Sequence, residues 1–433
     1  MLSEPIPINH TPMLNRIFHK LPFRLIELAI CAVLVVLYLP VWLIHYTYAH
    51  MKGQAWLQAF PVLGQGGQCL SLRVAAPLSG GWSARFLSQP CIAHSTLLLA
   101  IFSGKLSLVG PAPVALDWRD NQPDRYLSRF QVRPGLIHTF LIRSRVNIAF
   151  EEERELALLD ASNQGLFARL GLLLRAIPAL LLGSDKPQTD LPDHIDLFFM
   201  TMANRTRDEA VTEILALVQS ARPCRIAFVN PACVNIAMKN DAYRGVLEQS
   251  DLIYPDGIGI QIACKLTGRR LKDNLNGTDL FPALVEEMAR QKRGLYLLGA
   301  REAVCKTLVE KLAERWPELR VCGYRNGYFK PEDEPALAEE INGSGADILL
   351  VAMGVPSQEF AIDRLLPMLR VPVTMGVGGL FDFYSGRIAR APLWMREVGL
   401  EWLYRLIREP RRLWQRYLIG NFVFMWHLAR WRS

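Results

Sequence analysis

No Asp-x-Asp triplet occurs anywhere in the 433 residues. The acidic signature by which many sugar transferases hold a metal and a nucleotide is therefore missing, and no metal is expected. No histidine lies between His194 and His427. A general base in that stretch must be a carboxylate or something rarer. No Cys-x-x-Cys pair is formed by Cys31, Cys69, Cys91, Cys224, Cys233, Cys264, Cys305 and Cys322. Several sit in apolar runs, which fits reduced, buried thiols in a cytoplasm and excludes a disulfide framework or a zinc ribbon. No nucleic-acid-binding motif is present, so the net charge of +8 points elsewhere. That charge is uneven: from Arg387 onward there are ten Arg, three Glu and no Asp. A basic end rich in aromatics suits an anionic membrane surface or phosphate groups.

The length predicts two or more domains, and 51% hydrophobic residues make the chain apolar for a globular one. Residues 1–22 read as a polar, proline-bearing mobile tail. Leu28 to Ile44 is almost wholly apolar, follows Arg16, Lys20 and Arg24, and contains Pro40. It lacks a small-residue cleavage site, which argues against a removed signal peptide. Two readings stand: a proline-broken helix that re-enters on the cytoplasmic side, and a simple span. Further on come Ser107-Leu108-Val109-Gly110-Pro111-Ala112-Pro113 and Val132-Arg133-Pro134-Gly135-Leu136. On these motifs residues 20–184 resemble the membrane-bound polyprenyl-phosphate phosphoglycosyl transferases. The resemblance implies a membrane-associated α+β domain at 23–184. Counted back without gaps, the family's Asp-Glu pair falls on Ala93 and His94, and its Gly-Pro-Arg-Pro arginine on Ala112. Neither Ala nor His replaces a carboxylate nucleophile. This half is thus expected to be catalytically dead, kept as an anchor or partner surface. Residues 185–194, polar and holding two prolines, are the expected linker.

From Ile195 the pattern is regular. Apolar runs at Arg225–Val229, Leu252–Tyr254, Gly294–Leu298, Ile348–Ala352 and Val371–Gly376 alternate with helical stretches at Asp208–Ala221, Asp279–Arg290, Ala303–Arg315 and Ser357–Leu369. Strand alternating with helix predicts an α/β domain at 195–386, a Rossmann-like parallel sheet with helices on both faces. Residues 387–433 follow as an Arg/Trp-rich helical appendage. Neither Gly257-x-Gly259 nor Gly376-x-Gly378 completes the dinucleotide fingerprint, since Ile262 and Phe381 take the last position. In Tyr254-Pro255-Asp256-Gly257-Ile258-Gly259 a strand ends at a carboxylate and two glycines before a helix. That geometry sets Asp256 at the carboxyl edge of the sheet. On this local pattern, helix cap and catalytic base are equally good readings.

Seven blocks fall in order: Phe228-Val229-Asn230-Pro231-Ala232-Cys233-Val234-Asn235; Pro255-Asp256-Gly257-Ile258-Gly259; Asn276-Gly277-Thr278-Asp279; Met353-Gly354-Val355-Pro356-Ser357-Gln358-Glu359; Gly376-Val377-Gly378-Gly379-Leu380-Phe381-Asp382-Phe383; Arg390-Ala391-Pro392; Glu401-Trp402-Leu403-Tyr404-Arg405-Leu406. Together they resemble the WecG/TagA/CpsF glycosyltransferases, glycosyltransferase family 26, from about Ile195 to Arg416. The resemblance implies inverting, metal-independent transfer of a sugar from a nucleotide diphosphate-sugar to a polyprenyl-diphosphate-linked acceptor at a membrane surface. The donor implied is a UDP-sugar of the UDP-N-acetylmannosamine kind, and no cofactor is implied. Asp256 then becomes the base. Asn230, Asn235, Gly257, Gly259, Asn276, Gly277, Thr278, Asp279, Gln358 and Glu359 become substrate-binding candidates. Ordinary turn and cap duty stays open for Asn230, Asn235 and Thr278, and a helix-dipole role for Glu359. Two departures stand out: Ser357 replaces the family's usual Lys, and Asn274 an Arg often found before Gly-Thr-Asp.

Arg405, Arg408, Arg412 and Arg416 recur at helix spacing and are expected to share one face. Trp394, Trp402, Trp414, Trp426 and Trp431 accompany them, which favours a membrane interface. The resemblance adds that such an appendage grips the acceptor diphosphate. The expectation is a bacterial inner-membrane enzyme of exopolysaccharide or envelope polysaccharide synthesis, with its catalytic domain on the cytoplasmic face. Self-association is left open, and nucleic acid is not a partner. Two alternatives remain: a bifunctional protein with an active first half, and a non-catalytic scaffold of polysaccharide assembly.

Overall fold

The computed structural model describes residues 13–79, 87, 90–121, 123–146, 152–182, 191–219 and 222–432. Most of the expected linker, and the start of the expected mobile tail, lie outside these residues. The chain divides into two units, Met1–Ser144 with Phe150–Leu180, and Arg145–Ala149 with Leu181–Ser433.

The first unit begins with a helix, α1 (Met13–Met51), that starts inside the stretch read as a mobile tail. Pro22 and Pro40 both lie within it, so the break expected at Pro40 does not end the helix. A proline removes one backbone donor, and the ladder on either side carries the helix through. Pro22–Met51 is long and apolar enough to cross a membrane. Cys31 on one side packs with Val62, Leu72, Val74, Leu97 and Leu106, whereas Val33, Val36, Leu37 and Leu43 stay exposed. A hairpin of β1 (Leu57–Leu63) and β2 (Cys69–Ala75) supplies part of that core. The two motif stretches meet: β3 (Ser107–Val109) pairs in parallel with β4 (Gly135–Ile137). Gly110 and Gly135 cross so closely that a Cβ on either would strike the other's backbone. Buried Glu27 accepts from Ser107 Oγ at 2.6 Å and from Arg24 at 2.5 Å. Three helices follow, α2 (Thr139–Arg145), α3 (Glu153–Ser162) and α4 (Leu166–Leu182).

The second unit opens with an antiparallel hairpin, β5 (His194–Leu197) and β6 (Met200–Ala203). Its centre is a six-stranded parallel sheet. The strands are β7 (Cys224–Val229), β8 (Leu252–Pro255), β9 (Gly294–Gly299), β10 (Arg320–Arg325), β11 (Ile348–Ala352) and β12 (Val373–Gly376), in the order β10-β9-β11-β12-β7-β8. The inner strands are apolar but for Arg225 and Thr374, because both faces are covered. Side chains alternate: Ile226, Phe228, Leu295, Leu297 and Leu350 enter one core, while Ala227, Val229, Tyr296, Leu298 and Leu349 enter the cores opposite. The first face is packed by α5 (Arg207–Leu217), α9 (Gly277–Arg290) and α10 (Glu302–Arg315). The other is packed by α6 (Pro231–Ala237), α7 (Asp241–Glu248), α8 (Ile258–Leu266), α11 (Glu334–Gly343) and α12 (Ser357–Leu365). The sheet and its helices agree with the sequence reading, with one strand more. β10, Arg-Val-Cys-Gly-Tyr-Arg, escaped it because an edge strand carries polar ends and a glycine.

After β12 come α13 (Leu380–Tyr384), α14 (Leu393–Glu397), α15 (Glu401–Arg408) and α16 (Pro410–Trp414). A π-helical turn, Gln415–Ile419, leads into α17 (Gly420–Arg432). The expected single arginine face is not formed. Glu409 has φ −133° and ψ 59° and Pro410 follows, so the helix stops between Arg408 and Arg412. Phe424 and Leu428 seat α17 in the core that holds Val234 and Ile260.

Candidate active site

Four loops converge at the carboxyl edge of the sheet, where α/β folds place ligands. They follow β7 (Asn230), β8 (Asp256), β11 (Gly354 to Gln358) and β12 (Gly376 to Gly379). Asn230 caps α6, its Oδ1 accepting from the amides of Ala232 and Cys233 at 3.1 and 3.3 Å. Its Nδ2 donates to Asp256 Oδ2 at 3.1 Å. One Asn thus caps α6 and hydrogen-bonds the Asp256 carboxylate. The Asp256 backbone amide donates to Val229 O at 2.8 Å, and Gly257 N donates to Asn274 Oδ1 at 2.8 Å. The carboxylate is therefore held from both sides of its turn. It does not cap α8, because Gly257 occupies that position without a side-chain cap.

Both glycines after Asp256 are required. Gly257 has φ +87°, a conformation that side chains disfavour. Gly259 lies against Pro231, whose Cγ would collide with any Cβ there. Asp256 retains some exposed surface but is enclosed by protein on most sides. Burial raises its pKa; the Asn230 hydrogen bond, Arg405 and Arg416 oppose the rise, and Glu401 adds to it. A carboxylate made more basic by its surroundings is suited to accept a proton.

The four arginines divide into two pairs. Arg405 stacks over the Phe383 ring at 4.5 Å, beside Gly379, where a Cβ would come 3.2 Å from Nη2. Its guanidinium makes no hydrogen bond among the described residues. Arg416 reaches Asn230 Oδ1 at 3.4 Å, and its Nε is buried without a partner. Arg408 turns to Tyr404 Oη at 3.1 Å, and Arg412 pairs with Glu409 at 2.6 Å. Arg405 and Arg416 both act on Asp256.

The other candidates hold the frame. Asn235 Nδ2 donates to Gly420 O at 2.7 Å, tying α6 to the start of α17. Asn276 caps α9 through Asp279 N at 2.8 Å, and its Nδ2 donates to Asp279 Oδ2 at 2.6 Å. Thr278 O accepts from Tyr384 Oη at 2.8 Å, and Gly277 opens α9 with free space at its Cα. Asp279 Oδ1 accepts from Arg390 at 2.6 Å and Arg396 at 3.1 Å. Gln358 and Glu359 are 2% and 4% exposed, so neither side chain presents itself to a ligand in this structure. Gln358 Oε1 accepts from Gly378 N at 2.9 Å, and its Nε2 donates to Glu359 Oε1 at 2.8 Å. Arg390, Arg396, Asn274 and Tyr384 are the residues to which local sequence reasoning gave no role. The Arg390-Ala391-Pro392 block and the departure at Asn274 were the signals that could have found two of them.

Among the described residues no group of three His, Cys, Asp or Glu side chains could hold a metal. A doubly covered parallel sheet with a pinned carboxylate and an arginine at its carboxyl edge has the architecture of an α/β enzyme. Residues 195–433 match the Glycosyl transferase WecG/TagA/CpsF family, and the chain belongs to it. It is therefore a glycosyltransferase. A relative from Bacillus subtilis (strain 168) is 38% identical over 193 residues, 45% of this chain and 74% of that protein. It is an N-acetylglucosaminyldiphosphoundecaprenol N-acetyl-beta-D-mannosaminyltransferase. A protein of the same name from Bacillus spizizenii is 37% identical over 193 residues, with the same coverage.

Proposed function

We propose that this protein transfers a sugar, with inversion and from a UDP-sugar, to a hydroxyl of a polyprenyl-diphosphate-linked saccharide in polysaccharide synthesis. The observation that carries this reading is Asp256, pinned by Asn230 at the sheet edge and flanked by Arg405 and Arg416. The acceptor hydroxyl attacks the anomeric carbon, and its proton passes to Asp256 as the new C–O bond forms. The bond from that carbon to the nucleotide diphosphate breaks, and negative charge collects on the leaving phosphate oxygen. Backbone amides at helix starts, together with arginine, stabilise that charge in this reading. Arg405, with free donors, takes a diphosphate; the relatives' names specify an acceptor of that chemistry. The same names specify transfer of an N-acetylmannosaminyl group, which supports a donor of the N-acetylmannosamine kind.

The apolar Pro22–Met51 helix and the exposed Phe422, Trp394, Trp414 and Trp426 support work at a membrane, proposed to be the cytoplasmic face of an inner membrane. The first unit is proposed to anchor the enzyme there without chemistry of its own, because Ala93 and His94 stand where its resemblance requires acids. The test offers a panel of nucleotide sugars with a short-chain lipid diphosphate saccharide and measures nucleotide release. One donor should turn over, and Asp256→Asn should cut kcat at least about a hundred-fold, the scale of a lost general base. Near wild-type turnover by that variant would remove Asp256 from its role.

A further inference from the structure

In the first turn of α12 lies a second carboxylate that the reaction just described does not use. Glu359 is 4% exposed, and its Oε2 has no hydrogen-bond partner. Its other oxygen accepts from Gln358 Nε2. The titratable and charged groups that act on it come from three further elements: Tyr243 of α7, Cys233 of α6 and Arg416 of the π-helical turn. Arg416 Nε is likewise buried without a partner, and the Tyr243 hydroxyl, outside good hydrogen-bond geometry, lies close enough to Glu359 and Cys233 to act on both. Arg416 acts on Glu359 and on Asp256, and it touches Asn230, the residue that holds Asp256. One guanidinium thus lies within electrostatic reach of both carboxylates, and buried polar groups left single are costly enough to need such a reason.

We propose that Glu359 is a positioning residue for the transfer: through Arg416 it sets how much positive charge bears on Asp256, and through Gln358 it holds the Gly376–Gly379 turn beside Arg405. The inference rests on the reading of Asp256 as the base. When Glu359 is ionised it shares the charge of Arg416, and Asp256 becomes the stronger proton acceptor. When Glu359 is neutral the guanidinium bears on Asp256 alone, and the base weakens. Burial lifts Glu359 to about 7, so the exchange falls within the working range of pH.

The test is a pH profile of kcat and of KM for each substrate, in the full-length protein. Wild-type kcat should rise through a near-neutral ionisation. Glu359→Gln keeps an oxygen for Gln358 Nε2 and should lose that ionisation. Its kcat should fall about three- to ten-fold at pH 8 and match wild type near pH 6, with donor KM within about two-fold. Glu359→Asp, which keeps an ionisable group one methylene farther from Arg416, should retain the step at a displaced pH. That variant carries the test if the Gln variant folds poorly. A purely structural residue would lower kcat equally at every pH, and a nucleotide contact would raise donor KM. Either result, or an undisplaced profile in the Asp variant, overturns the inference. If Asp256→Asn is active, the base reading has failed; if it is dead while Glu359→Gln runs parallel to wild type, only this inference has.

Discussion

Replacing Arg405 and Arg412 one at a time by Ala separates the acceptor-grip reading from a surface role. Arg405 is held by its stack on Phe383, and its donors are free beside Gly379. A diphosphate oxygen taking one or two charge-assisted hydrogen bonds from it gains roughly 1.5–3 kcal/mol. Arg405→Ala should therefore lower kcat/KM for a lipid diphosphate acceptor by about ten- to a hundred-fold. Arg412 is 62% exposed and pairs with Glu409 three residues before it, a contact worth at most about 1 kcal/mol. Its loss should cost no more than about two- to three-fold. Lys at 405 keeps the charge but loses the planar fork and should rescue poorly. The assay compares a diphosphate acceptor with a neutral glycoside acceptor in detergent. Equal losses for the two Ala variants, or an Arg405→Ala loss as large on the neutral acceptor, would refute the assignment.

Gly259→Ala should destabilise the fold by about 1–3 kcal/mol, read as a lowered Tm, because the new Cβ must push the rigid Pro231 ring and part α8 from α6. Stability should also report Glu359. A raised carboxyl pKa stabilises fully below the unfolded value of 4.5 and loses that contribution as pH rises through about 7. The Tm advantage of Glu359→Gln over wild type should thus grow from pH 5 to pH 8, toward an upper bound of about 3 kcal/mol; a difference independent of pH would contradict the shift. Turnover should survive a chelator, as the missing Asp-x-Asp implies; loss restored by magnesium or manganese would contradict that.

The sequence by itself determined the sheet and the loops. Apolar runs alternating with helical stretches located five of the six parallel strands, and Gly and Pro at their ends marked Asp256, Asn230 and the Gly376–Gly379 turn. These are local signals, carried by neighbours within one element. What only the tertiary structure decided is which charge meets which. A backbone turn at Glu409 ended a spacing that reads as continuous, so one arginine from each side of it, Arg405 and Arg416, came to bear on Asp256. Asp279 found Arg390 and Arg396 more than a hundred residues away, so a substrate-binding candidate became a clamp. Gln358 and Glu359 turned inward, since a helix start says nothing of which face the sheet will cover. Hydrophobic periodicity is written residue by residue, whereas an ion pair depends on the sum of every turn between its partners.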